Sequence, residues 1–459
     1  MNLTRLTAFG LLVFDVLATV LVFVGISYLR GFGGADWNYV LALLALPVAF
    51  IVFAIYLIEG YKARTDMLSV DYTSLHCIAL TGAMLGTLLL TYAFIPADFP
   101  LQWSRAVIAL SFLLLMPVTL GFRRLVYQAT FKAREERSLV FLGDRSSCEA
   151  FREECRKMGT TQPVIFSVVS PDSSAPFVSA GADRLRPFHE VLDEVQQGHI
   201  AVEAIVLRES ARELSSDISR RLVQLYFSGV PTYTLELFHQ IHWRKIPLYR
   251  LNQTWLFQEG FQIAREPVFE RLKRASDIAL STLGLLLASP LIAFGAIAVW
   301  LDDRGPIFFF QKRIGKNHVA FPLVKLRTMR VEPKDGDLYT RMDDPRITRV
   351  GHFLRTSRLD ELPQLWNVLK GQMSLIGPRA EWDRLVEQYE RDIPCYHFRH
   401  LVKPGITGWA QVNYPYGASL ADTERKLEYD LYYIRHFSFV LDASIVLKTI
   451  HIMLFGKGR

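Results

Sequence analysis

The chain has 459 residues, of which 51% are hydrophobic, and a formal net charge of +7. This length predicts two or three domains, and the apolar fraction is high for a protein that lies wholly in water. The basic residues gather beside apolar segments without an RNA- or DNA-binding signature, so a membrane protein that handles phosphate-bearing substrates is favoured over a nucleic-acid-binding one.

Four long apolar runs fill the first third of the chain, at residues 6–29, 39–58, 75–95 and 106–126. Each is close to the ~20 residues that a helix needs to cross a bilayer, so we predict a bundle of four transmembrane helices over residues 1–130. The first run carries Asp15 and lacks a small-residue cleavage site, which argues against a signal peptide. We give Asp15 no functional role, because a polar contact between helices explains it at least as well.

Basic residues follow the second run, at Lys62 and Arg64, and gather at and after the end of the fourth, beginning with Arg123 and Arg124. By the positive-inside rule, both ends of the bundle should face the cytoplasm. The four cysteines, which are Cys77, Cys148, Cys155 and Cys395, show no CxxC spacing. In a reducing compartment or in lipid, such cysteines predict neither disulfides nor zinc.

The middle of the chain, residues 136–260, alternates short apolar strands with helical patterns. The predicted strands are 138–142, 164–169, 202–207 and 231–235, and the predicted helices are 147–158, 188–197 and 211–227. This alternation predicts a doubly wound, Rossmann-like α/β domain. The turn after the first strand, Gly143-Asp144-Arg145-Ser146-Ser147, lacks the further glycines of GxGxxG, so a degenerate, regulatory or dimer-forming module is favoured over a dinucleotide site.

A fifth apolar run, residues 280–301, has Ser289-Pro290 in its middle. Proline removes one helical hydrogen bond and kinks the helix, and the preceding serine can help to satisfy the freed backbone. Basic residues flank the run on both sides: Arg265, Arg271, Lys273 and Arg274 before it, and Lys312, Arg313 and Lys316 after it. We therefore predict a hairpin-like, re-entrant helix that enters and leaves by the cytoplasmic leaflet; the alternative is a fifth spanning helix.

The candidate site residues of the rest of the chain gather around one segment, residues 355–379, which reads RTSRLDELPQLWNVLKGQMSLIGPR. Proline is tolerated in the first turn of a helix, so Pro363 predicts a helix that begins near Asp360. From there Leu359, Leu362, Trp366 and Leu369 should form an apolar face. Asp360, Gln364 and Asn367 should form a polar face that points at a site.

An isolated Asp-Glu-x-Pro would be an N-cap with an acidic neighbour. Here Arg349, Arg355 and Arg358 precede the Asp360-Glu361 pair, and Gly377-Pro378-Arg379 follows it. Carboxylates, arginines and exposed backbone N–H groups that converge on a helix start suit phosphate chemistry on a metal-bound diphosphate.

Several ordered blocks carry a family resemblance. They are Lys325-Leu326-Arg327-Thr328-Met329, Asp360-Glu361-Leu362-Pro363-Gln364, Gly377-Pro378-Arg379, residues 404–413 (PGITGWAQVN) and Tyr429-Asp430-Leu431-Tyr432-Tyr433. From about residue 265 to the end, the chain resembles the bacterial sugar transferases, which are polyprenyl-phosphate glycosyl-1-phosphate transferases.

The resemblance implies an α-rich monotopic catalytic domain, residues 265–459, on the cytoplasmic face of the bacterial inner membrane. It implies a reaction in which a UDP-sugar and polyprenyl (undecaprenyl) phosphate give polyprenyl diphosphate-sugar and UMP, as the first membrane step of exopolysaccharide or related glycan assembly. Asp360 would be the nucleophile that forms a covalent phosphosugar intermediate. Mg²⁺ is the expected cation, with Asp360 and Glu361 as its candidate ligands.

The resemblance also places cationic and acidic residues around the substrates. Arg327, Arg355 and Arg379, with Lys325, align with positions that would bind phosphate oxygens. Asp430 would help with the metal or the sugar, although an exposed helix carboxylate is an equal alternative. A homodimer is compatible with the predicted domains.

Two other functions compete with the transferase. One is a catalytically silent scaffold or regulator of polysaccharide export, against which the Asp360-Glu361 pair and its arginines speak. The other is a metal-dependent lipid-diphosphate phosphatase, which needs an activated water in place of a carboxylate nucleophile.

Overall fold

The computed structural model describes residues 3–31, 37–62, 65–94, 105–135, 137–168, 185–208, 214–248, 267–330, 344, 346–414, 417 and 419–455. Arg64 and Arg265, named above, lie outside this set, as do positions 95, 169 and 211 at the ends of predicted ranges. The chain divides into two compact units, Met1–Arg244 and Lys245–Arg459. A further boundary inside the first unit, near residues 130–136, stays a prediction.

Four helices open the first unit. They are α1 (Leu3–Leu29), α2 (Trp37–Leu57), α3 (Val70–Phe94) and α4 (Arg105–Glu135). α1 packs against α2 and α4, and α3 packs against α2 and α4, which closes a four-helix bundle. The four predicted helices are therefore confirmed.

The apolar surface of these helices indicates a membrane protein. Within the described residues, the helices long and apolar enough to cross a bilayer are Thr7–Leu29, Val70–Ala93, Arg105–Thr130 and, in the second unit, Pro267–Asp303. α2 adds a shorter apolar stretch, Leu44–Leu57. Many of their outward side chains are large and apolar, such as Leu21, which is 70% exposed, so this surface requires lipid around it.

Asp15 makes the contact between helices that was the alternative to a functional role. Its carboxylate is fully buried and accepts a hydrogen bond from Arg123 Nη1 at 2.7 Å, with a second contact to Nη2 of the same guanidinium. The hydroxyl of Tyr61 donates to Asp15 Oδ2 at 2.7 Å. A charge this deep requires such a partner, and the pair ties α1 to α4.

The rest of the first unit is an α/β region. Its strands are β1 (Ser138–Leu142), β2 (Val164–Val168), β3 (Arg186–Pro187), β4 (Val202–Leu207) and β5 (Thr232–Thr234). Its helices are α5 (Arg145–Lys157), α6 (Phe188–Gln196), α7 (Ser216–Phe227) and α8 (Leu235–Phe238), and a π-helical turn, His239–Trp243, follows. The strands form one parallel sheet in the order β3-β2-β1-β4-β5.

Both faces of this sheet are buried, which explains the near-continuous apolar runs of its central strands. Phe141 packs with Phe151 on one face, and Val140 packs with Phe188 and Leu192 on the other. The predicted strands and helices are confirmed to within a few residues of their bounds. β3 was missed because two residues carry no strand periodicity.

The second unit is rich in helices, as predicted. Its helices are α9 (Pro267–Asp303), α10 (Arg349–Thr356), α11 (Gln364–Lys370), α12 (Asp383–Asp392), α13 (Trp409–Asn413), α14 (Leu420–Arg435) and α15 (Phe439–Phe455). Its strands are β6 (Phe308–Ile314) and β7 (Ala320–Leu326), which form an antiparallel hairpin, and β8 (Ser374–Ile376) and β9 (Gly405–Thr407), which pair in parallel. Its core gathers Tyr396, Trp409 and Tyr433 with residues of α12, α14 and α15.

The long apolar helix α9 continues through Pro290 as one helix of 37 residues. Pro290 has no N–H to donate to the carbonyl of Leu286, four residues earlier. The hydroxyl of Ser289 donates to that carbonyl at 2.8 Å. The prediction that the serine satisfies the freed backbone is confirmed, and the re-entrant path stays a prediction.

One glycine fixes how α10 sits on the loop after β7. A Cβ at Gly351 would lie 2.0 Å from the backbone oxygen of Thr328, so the backbone would have to move. We expect Gly351→Ala to destabilise the protein by about 1–3 kcal/mol, measured as a lower midpoint of thermal unfolding in detergent. Gly121→Ala is the control, because a Cβ there meets nothing within 4 Å and the midpoint should not fall. Equal midpoints for the two variants would contradict this packing.

Candidate active site

The Asp360-Glu361 pair lies in a 3₁₀ turn, Leu359–Glu361, and the α-helix begins later, at Gln364 in α11. The prediction that the helix begins near Asp360 is wrong by one turn. The backbone N–H of Glu361 donates to Arg358 O at 3.2 Å, and that of Leu362 donates to Leu359 O at 3.3 Å. Since Pro363 supplies no donor, the tighter turn precedes the α-helical pattern.

The predicted faces of α11 are wrong in part, because Leu359, Leu362 and Leu369 are half-buried but two of the predicted polar residues lie deeper than Trp366. Trp366, placed on the apolar face, is 48% exposed, whereas Gln364 and Asn367 are buried. The Asn367 amide accepts from Val324 N at 3.1 Å and donates to Pro322 O at 2.8 Å. The polar side of α11 therefore satisfies the open backbone edge of β7, and only Asp360 of the predicted polar face belongs to the candidate site.

Glu361 is held as an anion by surrounding cations. Lys325 Nζ donates to Glu361 Oε1 at 2.9 Å, and Arg358 Nη1 lies 3.7 Å from Glu361 Oε2. Burial raises the pKa of Glu361, but the charges of Lys325 and Arg379 outweigh it and bring the pKa to about 2. Glu361 is therefore ionised throughout the physiological range.

Asp360 is in a different environment, although it is the next residue. It is 7% exposed, and no other residue in the described part of the chain donates a hydrogen bond to its carboxylate. Burial raises the pKa of Asp360 to about 6; the negative charge of Glu361 adds to this, and the positive charges of Lys325 and Arg355 oppose it. The pair thus consists of a fixed anion and a neighbouring carboxyl whose oxygens are free to bind another group.

Arg379 is positioned through its backbone. Arg399 Nη2 donates to Arg379 O at 3.0 Å, and it also donates to Asp430 Oδ2 at 2.9 Å. Asp430 is 2% exposed, so the alternative of an exposed helix carboxylate is wrong. Burial raises the pKa of Asp430 to about 6 against the opposing charge of Arg399. A role for Asp430 with metal or sugar stays a prediction. In the structure, Asp430 binds Arg399, which in turn binds the Arg379 carbonyl.

The other predicted residues divide into two groups. Lys325 and Arg355 lie close enough to the dyad for their charges to act on the pKa of Asp360. The Arg327 guanidinium instead forms an ion pair with Asp303 at the end of α9, and its backbone N–H donates to Ile307 O at 2.9 Å. Ser289 and Pro290 lie near the middle of the apolar helix α9, away from the dyad in sequence.

Comparison with known proteins identifies the family. A family model described as "Bacterial sugar transferase" matches residues 268–456. An exopolysaccharide production protein PSS of Rhizobium leguminosarum bv. phaseoli is 43% identical over 195 residues, which are 41% of this chain and 98% of the relative. The chain belongs to the bacterial sugar transferase family.

Two longer relatives extend the comparison. A UDP-N-acetylgalactosamine-undecaprenyl-phosphate N-acetylgalactosaminephosphotransferase of Aeromonas hydrophila is 37% identical over 269 residues, 58% of this chain and 63% of the relative. A UDP-glucose:undecaprenyl-phosphate glucose-1-phosphate transferase of Escherichia coli K12 is 47% identical over 182 residues, 39% of each chain. The matches thus span less than two thirds of these two relatives. The family recognised from the sequence blocks is confirmed.

Sequence reasoning missed Arg399 and Asp303, and it named Asp430 as a candidate without identifying Arg399 as its partner. Arg399 and Asp430 are 31 positions apart and are joined only by the tertiary fold. Asp303, the partner of Arg327, ends an apolar helix in which no motif marks it. The one available signal was chemical, because an arginine so near buried tyrosines and histidines requires a counter-charge.

The carboxyl groups fit a magnesium ion by their chemistry. Mg²⁺ takes oxygen ligands, prefers one or two carboxylates and completes its shell with water and substrate phosphates. Asp360 offers oxygens without a donor from another described residue, and Glu361 is an ionised carboxylate beside it. The two residues predicted as metal ligands are therefore adjacent and chemically suitable.

Proposed function

We propose that this sugar transferase moves a sugar 1-phosphate from a UDP-sugar to polyprenyl phosphate, with release of UMP. The names of the Aeromonas and Escherichia coli relatives support both substrates, because each names a UDP-sugar and undecaprenyl phosphate. The observation that carries the proposal is the contrast between the two neighbouring carboxyl groups of the 3₁₀ turn. Lys325 donates to Glu361, whereas the Asp360 carboxylate is buried and accepts no hydrogen bond from another described residue.

In the first step, an Asp360 carboxylate oxygen attacks the phosphorus next to the sugar. A bond forms between that oxygen and phosphorus, the phosphorus–oxygen bond to UMP breaks, and UMP leaves with the bonding electrons. An oxygen of the lipid phosphate then attacks the same phosphorus and releases the Asp360 carboxylate unchanged. Two displacements replace one difficult step, which is nucleophilic catalysis by a carboxylate.

The chain's own cations serve this chemistry. Lys325 keeps Glu361 in place and partly neutralises the negative charge beside Asp360. The positive charge of Arg355 also acts on the Asp360 carboxylate. Arg379, whose backbone carbonyl accepts a hydrogen bond from Arg399, would bind phosphate oxygens with its guanidinium. Asp360 and Glu361 would hold Mg²⁺, which when bound supplies positive charge to the leaving phosphate.

The proposal is tested by product analysis. Purified protein with Mg²⁺, undecaprenyl phosphate, and either UDP-glucose or UDP-N-acetylgalactosamine should release UMP in equal amount to a lipid-linked sugar. A scaffold would release neither product. A phosphatase would release inorganic phosphate from a lipid diphosphate and would not need the UDP-sugar. Either of those outcomes contradicts the transferase.

We also propose that α9 is re-entrant and that the second unit lies on the cytoplasmic face. Lys273, near the start of α9, donates to Asp442 of α15 at 2.5 Å, and Arg274 Nη1 donates to Val368 O at 2.6 Å. At the other end, Val299 packs with Leu326 and Leu354. Both ends thus contact the same compact unit, which supports a path with both ends on one side of the membrane. The exposed Leu286, Leu287 and Phe294 between them suit lipid.

Cysteine labelling distinguishes the two paths of α9. In a variant with the four native cysteines replaced by serine, single cysteines are introduced at Val268 and Asp302. Each should react with a membrane-impermeant maleimide only after the cells are permeabilised. The control is a cysteine at Tyr28, at the far end of α1, which should react in intact cells. Labelling of position 302 but not 268 in intact cells would mean that α9 crosses the membrane.

For the α/β region we propose a Rossmann-like module that binds no dinucleotide. Support comes from the parallel order β3-β2-β1-β4-β5, which matches five strands of that fold. In dinucleotide-binding members the pyrophosphate sits at the first helix N-terminus. Here Asp144 occupies that position, accepting from Ser147 N at 3.0 Å and pairing with Arg208, and its negative charge would repel a pyrophosphate.

A further inference from the structure

A second group of potential ligands lies in the second unit, on elements that do not include the Asp360-Glu361 turn. It consists of His318 in the loop between β6 and β7, Glu390 on α12, and His400 in the 3₁₀ segment Tyr396–Leu401. We propose that these three residues bind one divalent transition-metal ion of the Zn²⁺ class. We refer to them as the His-Glu-His cluster.

The distances within the cluster fit a shared ion. His318 Nδ1 lies 3.2 Å from Glu390 Oε1, and His400 Nε2 lies 4.0 Å from the same oxygen. All three ligand atoms lie within 4.8 Å of one another. Ligands on bonds of about 2.0–2.1 Å in a tetrahedral site are about 3.3 Å apart, so small side-chain movements would complete the geometry.

His400 is the residue that an ordinary ion pair does not explain. An ion pair between His318 and Glu390 satisfies those two groups, but His400 is 5% exposed and its Nε2 has no hydrogen-bond partner in the described part of the chain. Leaving a buried polar atom without a partner costs free energy, which a bound cation would remove. The free nitrogen lies on the side of Glu390, where the ion would be.

The ligand types select the metal. Two imidazoles and one carboxylate suit Zn²⁺ or a similar borderline ion, whereas Mg²⁺ prefers oxygen ligands only. The site is open to solvent on one side, because the side chains of His318 and Glu390 are 47% and 33% exposed. A metal can therefore enter, and a water can occupy a fourth position. The cysteine spacing gave no sign of zinc because no cysteine belongs to this cluster.

The position of the cluster gives it a structural role. It would join three elements that are separated in sequence, the β6–β7 loop, α12 and the 3₁₀ segment. That segment carries Arg399, which binds Asp430 and the backbone of Arg379. A metal at His400 would therefore fix the wall of the candidate active site that positions Arg379, and it would act without touching the substrate.

Metal analysis of the full-length protein tests the proposal. After chelation and dialysis, the purified protein should take up one equivalent of Zn²⁺ in the presence of excess Mg²⁺, and uptake should raise the midpoint of thermal unfolding. His318→Ala, in an exposed loop, should keep the fold and lower the Zn²⁺ affinity at least about 10-fold. The control His397→Ala, an exposed histidine in the same segment as His400, should bind Zn²⁺ as the native protein does.

X-ray absorption at the zinc edge supplies a readout that does not depend on a variant. It should give nitrogen and oxygen ligands at about 2.0–2.1 Å and no sulfur. Zn²⁺ uptake that is the same in His318→Ala and the native protein, or sulfur in the ligand shell, would overturn the proposal. Loss of uptake only in His397→Ala would do the same.

Discussion

Asp360→Asn is expected to lower UMP release on the order of 10³-fold or more, because the amide cannot act as the attacking carboxylate. The substitution preserves size, and it removes a carboxyl whose burial already raises its pKa to about 6. The fold should therefore be retained, with no decrease in the midpoint of thermal unfolding. The measurement is UMP release per enzyme in the presence of Mg²⁺, a UDP-sugar and undecaprenyl phosphate.

Asp392→Asn is the matched control for this variant. Asp392 is an exposed acid at the end of α12, and its amide variant should release UMP at the native rate. Glu361→Gln should also lose activity, because it breaks the pairing with Lys325. If Asp360→Asn kept turnover within a few-fold of native while Glu361→Gln lost it, the nucleophile would have been assigned to the wrong member of the pair.

Arg399→Met is expected to cost about 3–5 kcal/mol of stability, because it leaves the Asp430 carboxylate buried without its counter-charge. Arg399 and Asp430 are only 6% and 2% exposed, so water cannot replace the lost partner. The variant also removes the donor to the Arg379 carbonyl, so UMP release should fall even at temperatures where the protein stays folded. Thermal unfolding in detergent and UMP release measure the two effects.

A double variant tests whether the loss of stability in Arg399→Met comes from the unpaired Asp430 charge. In Arg399→Met with Asp430→Leu, both ionised groups are gone, and stability should recover part of the loss, because replacing a buried pair with apolar groups is often neutral. Arg391→Met, an exposed arginine at the end of α12, is the control and should leave the midpoint unchanged. A single Arg399→Met variant as stable as this control would show that the buried pair contributes nothing.

Local chemistry made much of the fold predictable. Apolar runs of membrane length gave α1 to α4, and the strands of the parallel sheet followed from short apolar runs between helical patterns. The relation between Ser289 and Pro290 was also local, since the missing proton donor and its replacement lie next to each other in sequence. Such features depend on a few neighbouring residues and on the known length of a helix in lipid.

The errors arose where tertiary contacts decided the structure. The periodicity of α11 placed its leucines and Trp366 inside, but β7 needed hydrogen-bond partners, and Asn367 supplies them.

The candidate site shows the same division. Asp360, Glu361 and the cations Lys325, Arg355 and Arg379 could be named from motifs, and the structure brings their charges together. The support from Arg399 and Asp430 depends on a contact between distant parts of the chain, which no spacing encodes.

A covalent sugar phosphate on residue 360 is the most direct test of the central claim. The protein is mixed with UDP-glucose or UDP-N-acetylgalactosamine and Mg²⁺ without any lipid acceptor, quenched, digested with trypsin and examined by mass spectrometry. The account predicts about one UMP released per enzyme, and an adduct of the sugar phosphate on the peptide of residues 359–370 that disappears when undecaprenyl phosphate is added. Native protein that turns over with the lipid, but forms neither the UMP burst nor the adduct without it, would contradict the account.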